Sequence, residues 1–190
     1  MEKIILASQS PRRKQLLEWA EIDFDVMVSD TDESFPSTLS FIDAAMHIAR
    51  NKALAVMNKN PDQLTVLAAD TIVICNNRII GKPKDRQDAI NTLLELAGNK
   101  HEVITGVSIN NQGNDLAFAD TTSVEFHPLK KEQIAFYVDK YQPYDKAGAY
   151  AIQEWIGVVG IKKIEGDFYN VMGLPVSRVV QALAEISHKK

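Results

Sequence analysis

The amino-acid sequence predicts an α/β fold, and three observations carry that expectation. Ile4-Ile5-Leu6-Ala7 is a short apolar run that passes through the polar turn Ser8-Gln9-Ser10 into Pro11, a residue favoured at the first position of a helix. Val66-Leu67-Ala68-Ala69 is apolar on both faces and ends in Asp70, the pattern of a covered central strand. Asn76-Asn77 and Asn110-Asn111-Gln112-Gly113-Asn114 read as hairpin turns between extended runs.

The first helix carries an electrostatic anomaly. Leu16, Leu17 and Ala20 continue it at helical spacing, with Ser10 as its expected N-cap. Arg12, Arg13 and Lys14 then fall in its first turn, at the positive end of the helix dipole. Each such placement is unfavourable by about 0.3–1 kcal/mol. A bound polyanion, above all phosphate, would offset that cost through guanidinium forks and outward backbone N–H groups. A solvated basic turn is the plainer alternative. The stretch lacks the glycines and the GK[ST] ending of a Walker loop.

Ile22, Phe24, Val26 and Val28 alternate as in a half-buried strand, and the acidic loop Ser29–Ser34 follows. Loops after strands hold ligand residues in α/β proteins, which singles out Glu33. Ser40, with Asp43 in the capping-box position, starts a helix that runs through Ile48, Lys52 and Val56. Lys52 lies on its apolar stripe, where it either snorkels or points into a polar cleft. Asp70, followed by Thr71 at the end of the covered strand, is the best general base or metal ligand in the chain.

Ile79-Ile80 is the returning strand of the first hairpin, and Gly81-Lys82-Pro83 presents Lys82 in a stiffened loop. Asp85 caps a helix through Leu96 that stops at Gly98. Two long strands, Glu102–Ile109 and Leu116–Phe126, precede a short helix over Glu132–Val138. Pro143–Gln153 is a polar junction containing Asp145 and Lys146; a strand over Val158–Ile164 and a C-terminal helix follow.

A chain of 190 residues, 45% hydrophobic and 24% charged, has the make-up of an ordinary globule of one domain or one two-lobed domain. A net charge of −4 excludes general nucleic-acid binding and suits a small polyanionic ligand held by local basic spots. Cys75 is the single cysteine, which excludes an intrachain disulfide and a cysteine zinc cluster. The first residues enter a strand without an apolar leader, and no run reaches membrane-span length, so a cytoplasmic protein is expected. His47, His101, His127 and His188 lack metal-ligand spacing and read as structural or surface residues.

Together, the cationic helix start, Glu33, Asp70, Lys52 and Lys82 suit metal-assisted attack on a phosphate ester or anhydride. Glu33 and Asp70 would bind Mg2+ or Mn2+, while the lysines and arginines stabilise developing charge. No Ser–His–Asp or Cys–His arrangement for acyl transfer is evident.

The same residues carry a resemblance. Ser8-x-Ser10-Pro11-Arg12-Arg13, Ala69-Asp70-Thr71, Gly81-Lys82-Pro83, Thr105-Gly106-Val107, Asp145-Lys146-Ala147-Gly148-Ala149-Tyr150 and Asn170–Pro175 resemble the Maf (septum-formation inhibitor) family, in that family's order. The resemblance implies a nucleoside triphosphate pyrophosphatase that releases the monophosphate and pyrophosphate. It implies a mixed twisted sheet with flanking helices, two lobes around a central cleft as in ITP pyrophosphatases, a single two-lobed domain over residues 1–190, and a homodimer. It further implies substrate contacts from Ser8, Ser10, Arg12, Arg13, Asp145 and Lys146. Arg13, Thr71 and Gln153 match the branch that prefers dTTP and UTP. A Thr hydroxyl and a Gln amide can pair with the O4, N3–H and O2 pattern of thymine or uracil. Glu154-Trp155-Ile156 departs from the glycine-rich continuation usual in the family. The same chemistry on another base, and a nucleotide-binding regulator of septation without turnover, are the alternatives.

Overall fold

Two apolar runs, Ile4–Leu6 and Val66–Ala69, are buried throughout and pair in parallel, the arrangement usual for strands covered on both faces. In the computed structural model, β1 (Ile4–Leu6) lies between β2 (Phe24–Val26) and β3 (Thr65–Cys75), with Leu6 opposite Val26 and Leu67. The structure describes residues 2–28, 30–112 and 114–187; Ser29, Gly113 and His188, named above, lie outside the described residues. β4 (Arg78–Ile80) returns antiparallel to β3 through Asn76-Asn77, both at positive φ, as a tight hairpin turn requires. β5 (Lys100–Asn111), β6 (Asn114–Phe126) and β7 (Ile161–Glu165) complete a mixed sheet of order β2-β1-β3-β5-β6-β7, with β4 beside β3. The helices are α1 (Pro11–Trp19), α2 (Phe41–Met57), α3 (Arg86–Leu96), α4 (Lys131–Tyr141), α5 (Trp155–Gly160), α6 (Phe168–Met172) and α7 (Val176–Ser187). The mixed α/β class expected from the sequence is the class observed. No helix among the described residues is long and apolar enough to cross a membrane.

The chain divides into two units. The first comprises Met1–Thr71, Thr105–Asp120 and Gly173–Lys190. Its core joins Ile5 and Ala7 to Val66 and Ala68 of β3 and to Ala53 and Val56 of α2. Ser40 caps α2 as expected, its Oγ accepting from the Asp43 backbone N–H at 3.1 Å. At Gly106 the backbone of β5 meets α2, where a Cβ would stand 2.2 Å from the Ala45 carbonyl carbon.

The second unit comprises Ile72–Ile104 and Thr121–Met172. Asp85 caps α3, accepting from the Asp88 N–H at 2.9 Å, and α3 packs on α4. The rings of His101, Phe126 and Tyr150 meet edge to face, and His101 Nε2 lies 2.8 Å from the Tyr150 hydroxyl. Burial lowers the His101 pKa to about 4 and raises that of Tyr150.

Several elements differ from the expectation. Val158-Val159 belongs to helix α5, not to a strand, and α6 was not anticipated. The Glu154 carbonyl accepts from the N–H groups of Gly157 and Val158, and a Cβ at Gly157 would meet the Ile152 oxygen at 1.7 Å. That close turn overrides the strand preference of the β-branched pair. Along β2 the alternation also breaks: Val26 and Val28 are exposed, and Met27 packs on the core instead. β2 is an edge strand of the sheet.

Gly106→Ala should destabilise the protein by about 1–3 kcal/mol, because α2 must move off β5 to admit a methyl group; thermal unfolding measures this. His101 supplies a pH test. The unfolded chain protonates this ring near its ordinary value, whereas the folded chain resists until about pH 4. Its contribution to stability is therefore complete above about pH 6.5 and is lost as pH falls towards 4, by up to about 3 kcal/mol. Urea midpoints from about pH 7 to about pH 4.5 should fall less steeply for His101→Phe than for the parent protein.

Candidate functional site

Lys52 is carried by α2 between the buried residues Ile48 and Val56, so its stem lies along the core and its head reaches Asp70. Asp70 does not end the covered strand as the sequence suggests: β3 runs on through it to Cys75, because Thr71–Cys75 keeps the extended pattern and Val73–Cys75 pairs with β4. The Lys52 Nζ donates to Asp70 Oδ1 at 2.7 Å and to Glu33 Oε1 at 2.7 Å. The open choice between snorkelling and a polar partner resolves to the latter. Asp70 and Lys52 are largely enclosed, at 13% and 17% side-chain exposure, while Glu33 is 55% exposed. Glu33 sits at the tip of a small turn, where the Ser34 N–H and hydroxyl both donate to the Asp32 carboxylate. Two carboxylates thus converge on one cation, and hard oxygen donors so placed fit a divalent metal completed by phosphate oxygens. Among the described residues no group of three His, Cys, Asp or Glu gathers around a common point.

The three cations of α1 separate in environment. Arg13 is buried, at 8% exposure, while Arg12 and Lys14 are half-buried. The Arg13 guanidinium donates from Nε to the Gly173 carbonyl at 2.8 Å, from Nη1 to Ser8 Oγ at 3.0 Å and from Nη2 to Thr71 Oγ1 at 3.0 Å. Gly173 reaches this arrangement at φ 120°, a backbone conformation that glycine tolerates best. Desolvation lowers the Arg13 pKa, with Asp70 and Glu33 opposing that shift and Arg12 adding to it. Thr71 Oγ1 also lies 2.9 Å from Thr105 Oγ1. Ser10 precedes α1 but its hydroxyl makes no capping bond; its N–H donates to Ser8 Oγ at 3.3 Å. Ser8, Arg13 and Thr71 are thereby brought together, as are Glu33, Lys52 and Asp70.

Lys82, Asp145, Lys146 and Gln153 belong to the second unit. The Gly148 N–H donates to the Gly81 carbonyl at 3.2 Å, tying the loop that bears the exposed Lys82 to the 3-10 turn Ala147–Ala149. Lys146 is enclosed, at 10% side-chain exposure, and its Nζ lies 2.8 Å from Asp145 Oδ1 and 3.7 Å from Glu154 Oε1. The Tyr137 hydroxyl donates to Glu154 Oε2 and accepts from the Ala151 N–H at 3.2 Å. Gln153 is exposed. Tyr137 and Glu154 were not among the sequence candidates. Glu154 had a signal, since it breaks the expected glycine-rich continuation; Tyr137 had none.

A family model described as Maf-like protein matches residues 3–186. A relative from Cytophaga hutchinsonii named dTTP/UTP pyrophosphatase is 48% identical over 96% of this chain and 84% of its own. One of the same name from Parabacteroides distasonis is 46% identical over 95% of this chain and 94% of its own. Among solved structures, the Staphylococcus aureus Ham1 protein is 19% identical, with a TM-score of 0.47 over 66% of this chain and 72% of its own.

Arg13→Lys keeps the charge but cannot serve three diverging acceptors. It should lower stability by about 2 kcal/mol through the oxygens it leaves unpaired, read as a drop in the urea midpoint.

Proposed function

The chain belongs to the Maf-like protein family, and we propose that it hydrolyses dTTP and UTP to the monophosphate and pyrophosphate. The observation that carries this reading is the Glu33–Lys52–Asp70 cluster on the covered strand β3, beside a helix start rich in cations. The names of the relatives support the substrate class.

In the proposed reaction Asp70 takes a proton from a water that attacks the α-phosphorus. The bond from that phosphorus to the bridging oxygen breaks, and pyrophosphate leaves with the bonding electrons. Arg12 offsets the triphosphate charge at the start of α1, and the Ser8 and Ser10 hydroxyls are assigned to its oxygens. Lys52 keeps Asp70 and Glu33 at a fixed separation and stabilises charge as it moves. Asp70 and Glu33 would also hold a divalent cation, Mg2+ or Mn2+, which supplies charge neutralisation and polarisation of a phosphoryl oxygen when bound. Because two carboxylates flank a single ammonium, a bare triphosphate is repelled locally, and nucleotide with its counter-cation is the favoured ligand. Thr71 is assigned to the base, with Arg13 behind it. Lys82 and Lys146 are further assigned in this proposal to the phosphates, Asp145 to substrate binding beside Lys146, and Gln153 to the base. The cytoplasmic nucleotide pool is the proposed setting and a homodimer the proposed assembly.

A panel of nucleoside triphosphates with pyrophosphate detection tests the function. Release should be greatest from dTTP and UTP, should stop with chelator, and should return with Mg2+ or Mn2+. Saturable binding without release would instead mark a non-catalytic nucleotide-binding protein. Asp70→Asn should lower kcat by about a hundredfold or more; turnover at the parental rate would remove Asp70 from the reaction.

A further inference from the structure

We propose that Thr105 is a positioning residue for base discrimination, acting through Thr71; the inference rests on the reading of Thr71 as a contact to the base. Thr105 is fully buried on β5, and its Oγ1 lies 2.9 Å from Thr71 Oγ1. A guanidinium only donates, so the Arg13 bond at 3.0 Å uses one lone pair of the Thr71 oxygen. Cβ, Arg13 and Thr105 then occupy three of the four tetrahedral directions around that oxygen. The Gly173 carbonyl is a further neighbour at 3.5 Å, where it accepts from Thr71 only at the outer limit of a hydrogen bond. That carbonyl already accepts from Arg13 Nε at 2.8 Å. One direction of the Thr71 hydroxyl is therefore aimed yet weakly satisfied, and a ligand atom can take it over.

Fixing that hydroxyl matters because thymine and uracil differ from cytosine in polarity. N3 carries a hydrogen in the former and a lone pair in the latter; position 4 carries an acceptor in the former and an amino donor in the latter. A hydroxyl free to rotate offers a donor or an acceptor as needed and reads neither base. With Arg13 on one side and Thr105 on another, Thr71 presents one polarity. The sense of the bond between the threonines sets which polarity that is: when Thr105 donates, Thr71 presents its hydrogen, and when Thr71 donates, it presents a lone pair. Thr105 thus restricts the choice of base without touching it.

The test is the ratio of kcat/KM for dTTP to that for dCTP. Thr105→Val keeps the shape and removes the hydroxyl, and should lower the ratio by about tenfold. Thr105→Ser restores the hydroxyl and should restore the ratio. Thr71→Val should lower the ratio as far, with no further fall in the Thr71→Val, Thr105→Val double variant. If Thr105→Val does not fold, Thr105→Ala removes the same hydroxyl without branching and is read in the same way. An unchanged ratio in Thr105→Val beside a lowered one in Thr71→Val overturns the role of Thr105 alone. An equal loss of kcat/KM on both nucleotides also overturns it, as a merely structural effect. An unchanged ratio in Thr71→Val overturns the reading beneath it as well.

Discussion

A guanidinium buried among neutral oxygens is the constraint on which the first unit depends. Arg13 has no carboxylate within ion-pair distance among the described residues, and its partners are two hydroxyls and a carbonyl. Desolvating a cation in this way is costly unless its donors are satisfied and opposite charge lies nearby. The acceptors come from the loop after β1, from β3 and from the residue that leads into α7. Asp70 and Glu33 supply the favourable field. The helix start is consequently docked against β3 by a group that tolerates little displacement. The Thr71 and Ser8 side chains take their positions from it.

That arrangement resolves the anomaly of three cations at the positive end of α1. An exposed Arg13 would only repel the dipole. Buried, it becomes a structural tie whose charge is balanced by the carboxylates of Asp70 and Glu33. The remaining imbalance falls on Arg12 and Lys14, which lie closer to solvent. A triphosphate at this end therefore meets cations on the helix start, and it meets carboxylates that need a further cation before they can approach it. The proposed demand for a metal follows from that charge order.

How much of this was legible in the sequence depended on the reach of each interaction. Ser40, Asp85 and Asn76-Asn77 were readable because a cap or a two-residue turn completes its chemistry within three residues. Asp70 was readable because a carboxylate straight after a run covered on both faces is locally inconsistent with mere burial, although the strand continues through it to Cys75 instead of ending there. The environment of Arg13 was not readable, since two of its three partners lie 58 and 160 positions away in the chain. Lys52 showed as an ambiguity for the same reason. Helix α5 was misread because Val158-Val159 has strand propensity, whereas the turn that closes on Ile152 is set by the absence of a Cβ at Gly157.

The two carboxylates around Lys52 are not equivalent, and their difference bears on which one moves a proton. Asp70 lies within β3, next to a Thr71 held by Arg13 and Thr105, and its side chain is largely enclosed. Glu33 lies on a short turn outside any strand or helix and is more than half exposed. A general base gains from a fixed distance to the attacking water, because misplacement of even an ångström is costly in rate. A metal ligand that must accept both nucleotide-bound and free states gains from a longer, more adjustable side chain. The covered strand and its threonine pair give the fixed position to Asp70. The Asp32–Ser34 turn gives the adjustable one to Glu33.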